Sequence, residues 1–535
     1  MTIIIKNKLK IGIYLLPTLL LCIYFLIGTF SKTLHDFGNS YFSALLMRQE
    51  ISPEKILFDI YDFNKYVWNL GYEGELLDFY LNSPFTPVFF SPFSYIENAH
   101  MAKFIFNCFS IVLLIITIYY LAQKYLKQNF WILTLLPLLF FVPIRNQILF
   151  GQSYFLILFL IVFGYYCYTN NKDFFGSGFL SIAILLKFFP VFYGIPLLFG
   201  IRWRAILLGI VITSVLVSIG IYYTGYEFWK YYFLDVLTNA IKNKSTTDFR
   251  FTYQSIDVFF KTIFIRDSYH NPTALFDNTT LYVFAQWVIK SCIIGATIYL
   301  SLLQKKEMFK LLSIWVVTLF LLQSRTATYA QILWLIPGFV IYRSDISIKL
   351  KILFFGILFL ICNFPYHLLS SLPVVFQFTR LWLVIVLSII FYSSFTRKID
   401  VRYFFLAFVL LIPLNLSAFR NVKVDTSSYV IKKKEHFMIF DYNEKEGQLI
   451  YDVMSKGGLK TITTKIPIKS FMTESCSIKN NQVFVKGKQI TYTNSLKKKA
   501  VLVNDCEVYF LSDYRSRYGA FALKKINICE KENNN

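Results

Sequence analysis

Two charged residues stand where an apolar chain can least afford them. Asp36, in "TLHDFGNSYFSALLMRQEISPE", follows the end of the first long apolar run by a few residues. That places a carboxylate near a membrane surface. It could be a solvated loop acid, a cap for a helix starting near Tyr41, or a general base that takes the proton of an attacking hydroxyl. Lys187, in "ILLKFFPVFYGIP", lies deep in a second apolar run, 174–200. An ammonium at that depth either snorkels to headgroups or faces a cavity and an anion. A phosphate leaving group would be its natural partner, because charge builds on the phosphate as its bond breaks.

Further polar groups are compressed between spans. "PIRNQILFGQSYF" reads as an outer hairpin holding Arg145, Asn146 and Gln152, with Gly151 in the tight turn, or as an ordinary solvated turn. "LLQSRTATYAQ" supplies Arg325 and Tyr329; Arg325 either pairs with an acid or binds phosphate. His35 reads as a hydrogen-bonding neighbour of Asp36. Phe37, Tyr41 and Trp68 could stack on sugar faces or belong to the interfacial aromatic belt. The five histidines are scattered, and neither HExxH, a P-loop nor a dinucleotide glycine fingerprint occurs, so no metal and no cofactor is expected.

These residues are set in 535 positions that are 56% hydrophobic and 19% aromatic, with a mean hydropathy of +0.52. Such values exclude an ordinary soluble domain. The apolar runs are continuous rather than alternating, which calls for helical spans and excludes a barrel. The net charge of +23 is concentrated in short loops between runs, where it encodes orientation; nucleic acid is not an expected partner. The eight cysteines lack metal-site spacing, and Cys476, Cys506 and Cys529 in the polar tail leave room for one disulfide.

Twelve apolar runs, beginning with 11–30, 101–122, 130–144 and 153–169, are separated by two kinds of loop. Short basic loops read as cytoplasmic together with the N-terminus. Two large loops, 31–100 and 224–280, share the outer face. The run 174–200 is too short for two crossings and is broken by Lys187 and Pro190, so it reads as two half-helices around irregular backbone lining a cavity. The expected fold is an all-α polytopic domain, 1–418, of about 13 helical segments. A small β-rich extracytoplasmic domain, 419–535, follows, with hairpins punctuated by Asn480-Asn481, Gly487 and Asn504-Asp505.

The combination of "HDFGNSYFSALL", "NSPFTPVFFSPFSYI" and the block from "GQSYF" to "KFFPVFYGIPLLF", closed by "RWRA", resembles glycosyltransferase family 87, a GT-C family, over roughly residues 10–345. The resemblance implies a polyprenyl-phosphate-mannose-dependent transferase with Asp36 as the essential aspartate and Lys187 as the lysine of the KxxP block. Gln254 and Ser255 of "YQS" echo a polar pair of the second outer loop. Implied partners are a polyprenyl-phosphate sugar donor, a glycan or glycolipid acceptor and membrane lipids. The Lys/Asn/Ile/Phe-rich usage points to an AT-rich bacterial genome and so to a bacterial inner membrane. Departures are "FTPVFFSP" in place of an aromatic-Pro-Pro signature, and the β-rich tail. Competing readings are a secondary transporter or lipid flippase, which would favour broken helices, and a glycan polymerase or ligase using a diphosphate-linked donor.

Overall fold

The described residues of the computed structural model are 2–51, 53–80, 82–241, 251–267, 271–396, 398, 400–413, 415, 428–429, 438–445, 448–455, 458–464, 471–472, 475–493, 495–503, 505–514 and 519–529. Among them, four helices are long and apolar enough to cross a membrane: Leu9–Phe30, Ala99–Tyr125, Trp203–Thr224 and Thr279–Leu303. The run expected as a single span at 130–144 is instead a pair, Phe130–Leu139 and Phe141–Phe150, bent by 63°. Pro137 and Pro143 flank that bend, and each removes a backbone donor and crowds the preceding turn. Other runs form shorter apolar helices, among them Tyr154–Thr169, Asp173–Leu186, Met308–Leu322 and Thr379–Ser393. The chain is thus a mostly helical, multi-pass membrane architecture with a small β region at its C-terminal end.

The run carrying Lys187 is broken as its composition suggests. The helix Asp173–Leu186 stops, and Lys187 takes an extended conformation at φ −144° and ψ 131°. A 3₁₀ segment, Phe189–Gly194, and a short helix, Ile195–Phe199, then complete the run, with Pro190 and Pro196 in their first turns. The helices Tyr154–Thr169 and Asp173–Leu186 are packed closely at Gly176, where an added Cβ would fall 2.5 Å from the Tyr168 ring and 2.9 Å from the Gly164 carbonyl oxygen.

The two large loops, 31–100 and 224–280, contain helices of their own. In the first, Asp36–Arg48 and Ile60–Asn69 form helices, the second capped by the Asp59 carboxylate on the Tyr61 and Asp62 amides. In the second loop, Ser255 caps the helix Ile256–Phe264 through the Val258 amide at 3.2 Å; residues 242–250 and 268–270 lie outside the described ones.

Among its described residues the tail forms three antiparallel sheets. Cys476–Lys479, Gln482–Val485 and Lys488–Gln489 make the smallest, through turns with positive φ at Asn480-Asn481 and Lys486-Gly487. Those are the conformations that the expected hairpin punctuation requires; Asn504 falls outside the described residues. Cys506 and Cys529 form a disulfide, and Cys476 is left as the free thiol. The tail docks on the first large loop. Lys498 pairs with Asp59 at 3.3 Å, and Ala520 packs with Ile60 and Leu76.

Candidate active site

Asp36 opens the helix Asp36–Arg48 instead of capping one that begins at Tyr41. The cap position belongs to His35, whose side chain makes no capping hydrogen bond and whose backbone is held at φ 50°. A carboxylate in a first helical turn is favoured by the partial positive charge of the helix start. One oxygen of Asp36 accepts from Gln152 Nε2, and the group remains partly exposed. Gln152 is buried, and its own carbonyl accepts from the Gln147 side chain.

The turn that delivers Gln152 depends on Gly151. This residue has φ +63°, and a Cβ there would lie 2.6 Å from Phe37 Cβ and 3.3 Å from Lys103 Cε. We expect Gly151→Ala to lower the thermal midpoint in detergent, at a cost of about 2 kcal/mol or more, from a wrong backbone region and a collision with the helix that carries Asp36. An unchanged midpoint would reject this role for the turn.

Lys187 Nζ donates to Asn82 Oδ1 at 3.2 Å. The next residue, Ser83, donates to the Leu185 carbonyl, so the "NSPF" strip of the first large loop clasps the helix break on both sides of Leu186. Asp36 is the charged group that acts on Lys187 through space, and it acts likewise on Tyr154. Tyr154 stacks on Phe189 at 5.5 Å and meets Tyr329 at 5.2 Å. The structure thus gathers Asp36, Gln152, Lys187, Tyr154 and Tyr329 around one region. Asn82 and Tyr154 were not singled out from sequence, although both belong to motifs that were.

Beside Lys187 opens a cavity of about 780 Å³. Ser83, Leu185 and Phe188 line its near end, the helices Asp173–Leu186 and Trp203–Thr224 form its walls, and Trp229, Tyr232 and Phe233 also line it. The hydroxyls of Ser177 and Ser181, on its lining, are spent on the Ala205 and Gly209 carbonyls, so its surface is apolar in practice.

Residues 80–324 match Glycosyltransferase family 87. The family 87 match bears out the resemblance over a narrower stretch than 10–345. It takes in Asn82, Gly151, Gln152 and Lys187, and leaves Asp36 before it and Arg325 just after it. GPI mannosyltransferase 1 of Eremothecium gossypii is 27% identical over 181 residues, which are 31% of this chain and 44% of that protein. The chain therefore spans less than half the length of this curated relative. No solved structure matches.

Other expected site residues are placed elsewhere or otherwise. Arg145 and Asn146 sit within the helix Phe141–Phe150 rather than in a hairpin, whose turn is confined to the residues after Phe150. Arg145 Nε donates to Asn146, and Asn146 donates to Thr328 Oγ1 at 2.6 Å, beside Tyr329. Arg325 lies over the Tyr253 ring at 5.9 Å. Gln254 donates to the Gln377 carbonyl and accepts from the Arg380 amide, while Ser255 donates to the Ser324 carbonyl at 2.8 Å. These contacts tie the second large loop to the Arg325 turn rather than to Asp36. Tyr41 is buried, its hydroxyl bonded to the Ile96 carbonyl at 2.7 Å, and burial pushes that hydroxyl up to about 12. His35 packs on Phe150 at 4.7 Å.

Proposed function

We propose that the protein is an inverting membrane glycosyltransferase that moves a hexose, mannose first among candidates, from a polyprenyl-phosphate donor to a hydroxyl of a lipid-linked or cell-envelope glycan. The observation that carries this reading is a partly exposed carboxylate, Asp36, that acts electrostatically on Lys187, whose chain neighbours Leu185 and Phe188 line an apolar cavity. Asp36 takes the proton of the acceptor hydroxyl, which attacks the anomeric carbon as polyprenyl phosphate departs. Lys187 compensates the charge that grows on the departing phosphate, and the cavity takes the first isoprenoid units. Because the leaving group is already a phosphate anion, it needs charge compensation and no general acid, and the mechanism calls on no metal. Tyr154 and Tyr329 offer ring faces for the sugar.

The family 87 match and the mannosyltransferase name of the relative support the sugar and the reaction class. The disulfide Cys506–Cys529 supports an extracytoplasmic tail, since such bonds persist in oxidising compartments. The basic short loops, read as cytoplasmic, support the same orientation, with Asp36 on the outer face of a bacterial inner membrane. The test is transfer by the purified protein from synthetic polyprenyl-phosphate mannose to a membrane extract. We expect a mannosylated product of inverted anomeric configuration. Transfer from a diphosphate-linked donor alone would replace this reading with the polymerase or ligase one.

A further inference from the structure

The helix Ala99–Tyr125 carries a charge that the proposed transfer does not use. Lys103 is 0% exposed. A cation so placed is costly unless acceptors and counter-charges surround it. Its Nζ donates to the Leu149 carbonyl at 2.6 Å and to the Thr33 carbonyl at 2.8 Å. The carboxylates of Glu75 and Asp36 act on it through space.

The two carbonyls belong to the two halves of the site. Leu149 lies in the last turn of the helix Phe141–Phe150, where carbonyls lack partners within their own helix. Asn107, one turn beyond Lys103 on the same face, donates to the neighbouring Ile148 carbonyl at 2.9 Å. Lys103 and Asn107 thus seat the helix end that leads into Gly151 and Gln152. Thr33 begins the loop that leads into Asp36. There, consecutive residues are each held by a different part of the chain. Lys103 holds the Thr33 carbonyl, Glu75 Oε1 takes the Leu34 amide at 2.6 Å, Phe150 packs on His35, and Gln152 donates to Asp36.

We propose that Lys103 is a positioning residue for Asp36, bridging the Thr33 and Leu149 carbonyls and so setting the gap across which Gln152 reaches the carboxylate. The inference rests on the reading of Asp36 as the base. Lys103 touches no reacting group; it acts through the loop and the turn. The donor is held elsewhere, by Lys187 and the cavity, so loss of the bridge falls on the chemical step.

The experiment compares wild type, Lys103→Met and Asp36→Asn in full-length protein, assayed with synthetic polyprenyl-phosphate mannose and a membrane extract. Lys103→Met is expected to lower kcat on the order of a hundredfold, as for a displacement of about 1 Å at a reacting group, with donor KM unchanged within about twofold. A kcat within about twofold of wild type, or a loss carried by donor KM, overturns the proposal while Asp36→Asn stays inactive. An active Asp36→Asn overturns instead the reading on which it rests. Should Lys103→Met fail to accumulate as folded protein, Lys103→Gln, which keeps a donor for one of the two carbonyls, is judged by the same criterion.

Discussion

Asp36→Asn is expected to lower kcat for transfer by roughly 10²–10⁴-fold, the span associated with losing a positioned general base. The amide fills the same volume and keeps an oxygen for Gln152 Nε2, so the contact between the helix Asp36–Arg48 and the Gly151 turn survives. What the variant loses is basicity. Its structural cost is confined to the favourable placement of a negative charge in a first helical turn, about 0.3–1 kcal/mol. The purified variant should therefore melt close to wild type while giving no product from polyprenyl-phosphate mannose. Turnover within about tenfold of wild type would remove Asp36 from the mechanism.

Lys187→Ala has the second largest expected effect, and it falls on the donor. The ammonium sits at an extended residue between two helical pieces, with Asn82 beside it and the apolar cavity opening next to it. In so apolar a setting, a cation matched to a developing phosphate charge is worth about 3–4 kcal/mol, a loss of 10²–10³-fold on removal. We expect kcat/KM for the donor to fall by roughly that factor while acceptor KM changes less than about twofold. Removal also strips Asn82 Oδ1 of its donor, so a melting curve is recorded alongside. An unchanged kcat/KM for the donor would exclude a phosphate at Lys187.

The docking of the tail on the first large loop has a milder consequence. Lys498 and Asp59 form an exposed pair, of the kind worth about 0–1 kcal/mol. Lys498→Glu is expected to leave activity and thermal midpoint near wild type, since it spares the Asp59 carboxylate that caps the helix Ile60–Asn69. A severe loss of either would show that the pair does more than an exposed ion pair does.

Much of the helical framework was legible because it follows from local causes. Long apolar runs must satisfy their backbone within the segment, so they are helices wherever the bilayer surrounds them. Lys187 and Pro190 announced the break in their run, since proline removes a donor and a lysine needs a cavity or a surface. Asn480-Asn481 and Gly487 announced hairpins because a two-residue turn of the right twist needs positive φ. Hydropathy alone reads 130–144 as one span, but Pro137 and Pro143 bend it into a pair, and with that bend Arg145 and Asn146 lie on a helix instead of in a turn.

The site itself was legible only as residue types. Composition and spacing marked Asp36, Gln152 and Lys187, but a sequence does not say which of several polar groups will be used up by neighbours far along the chain. Tyr41 is spent on the Ile96 carbonyl, and Gln254 on Gln377 and Arg380, pairings that span 55 and more than 120 residues. Conversely, Lys103 reads as an ordinary charge near a helix start until the fold closes the Thr33 and Leu149 carbonyls around it. Hydropathy and backbone sterics act within a turn or two of helix, so the sequence alone decided that this chain is a bundle of apolar helices with a broken segment and a β-rich tail. Hydrogen bonds and charges act across whatever the packing brings within a few ångströms, so only the tertiary structure decided which carboxylate, which amide and which lysines meet.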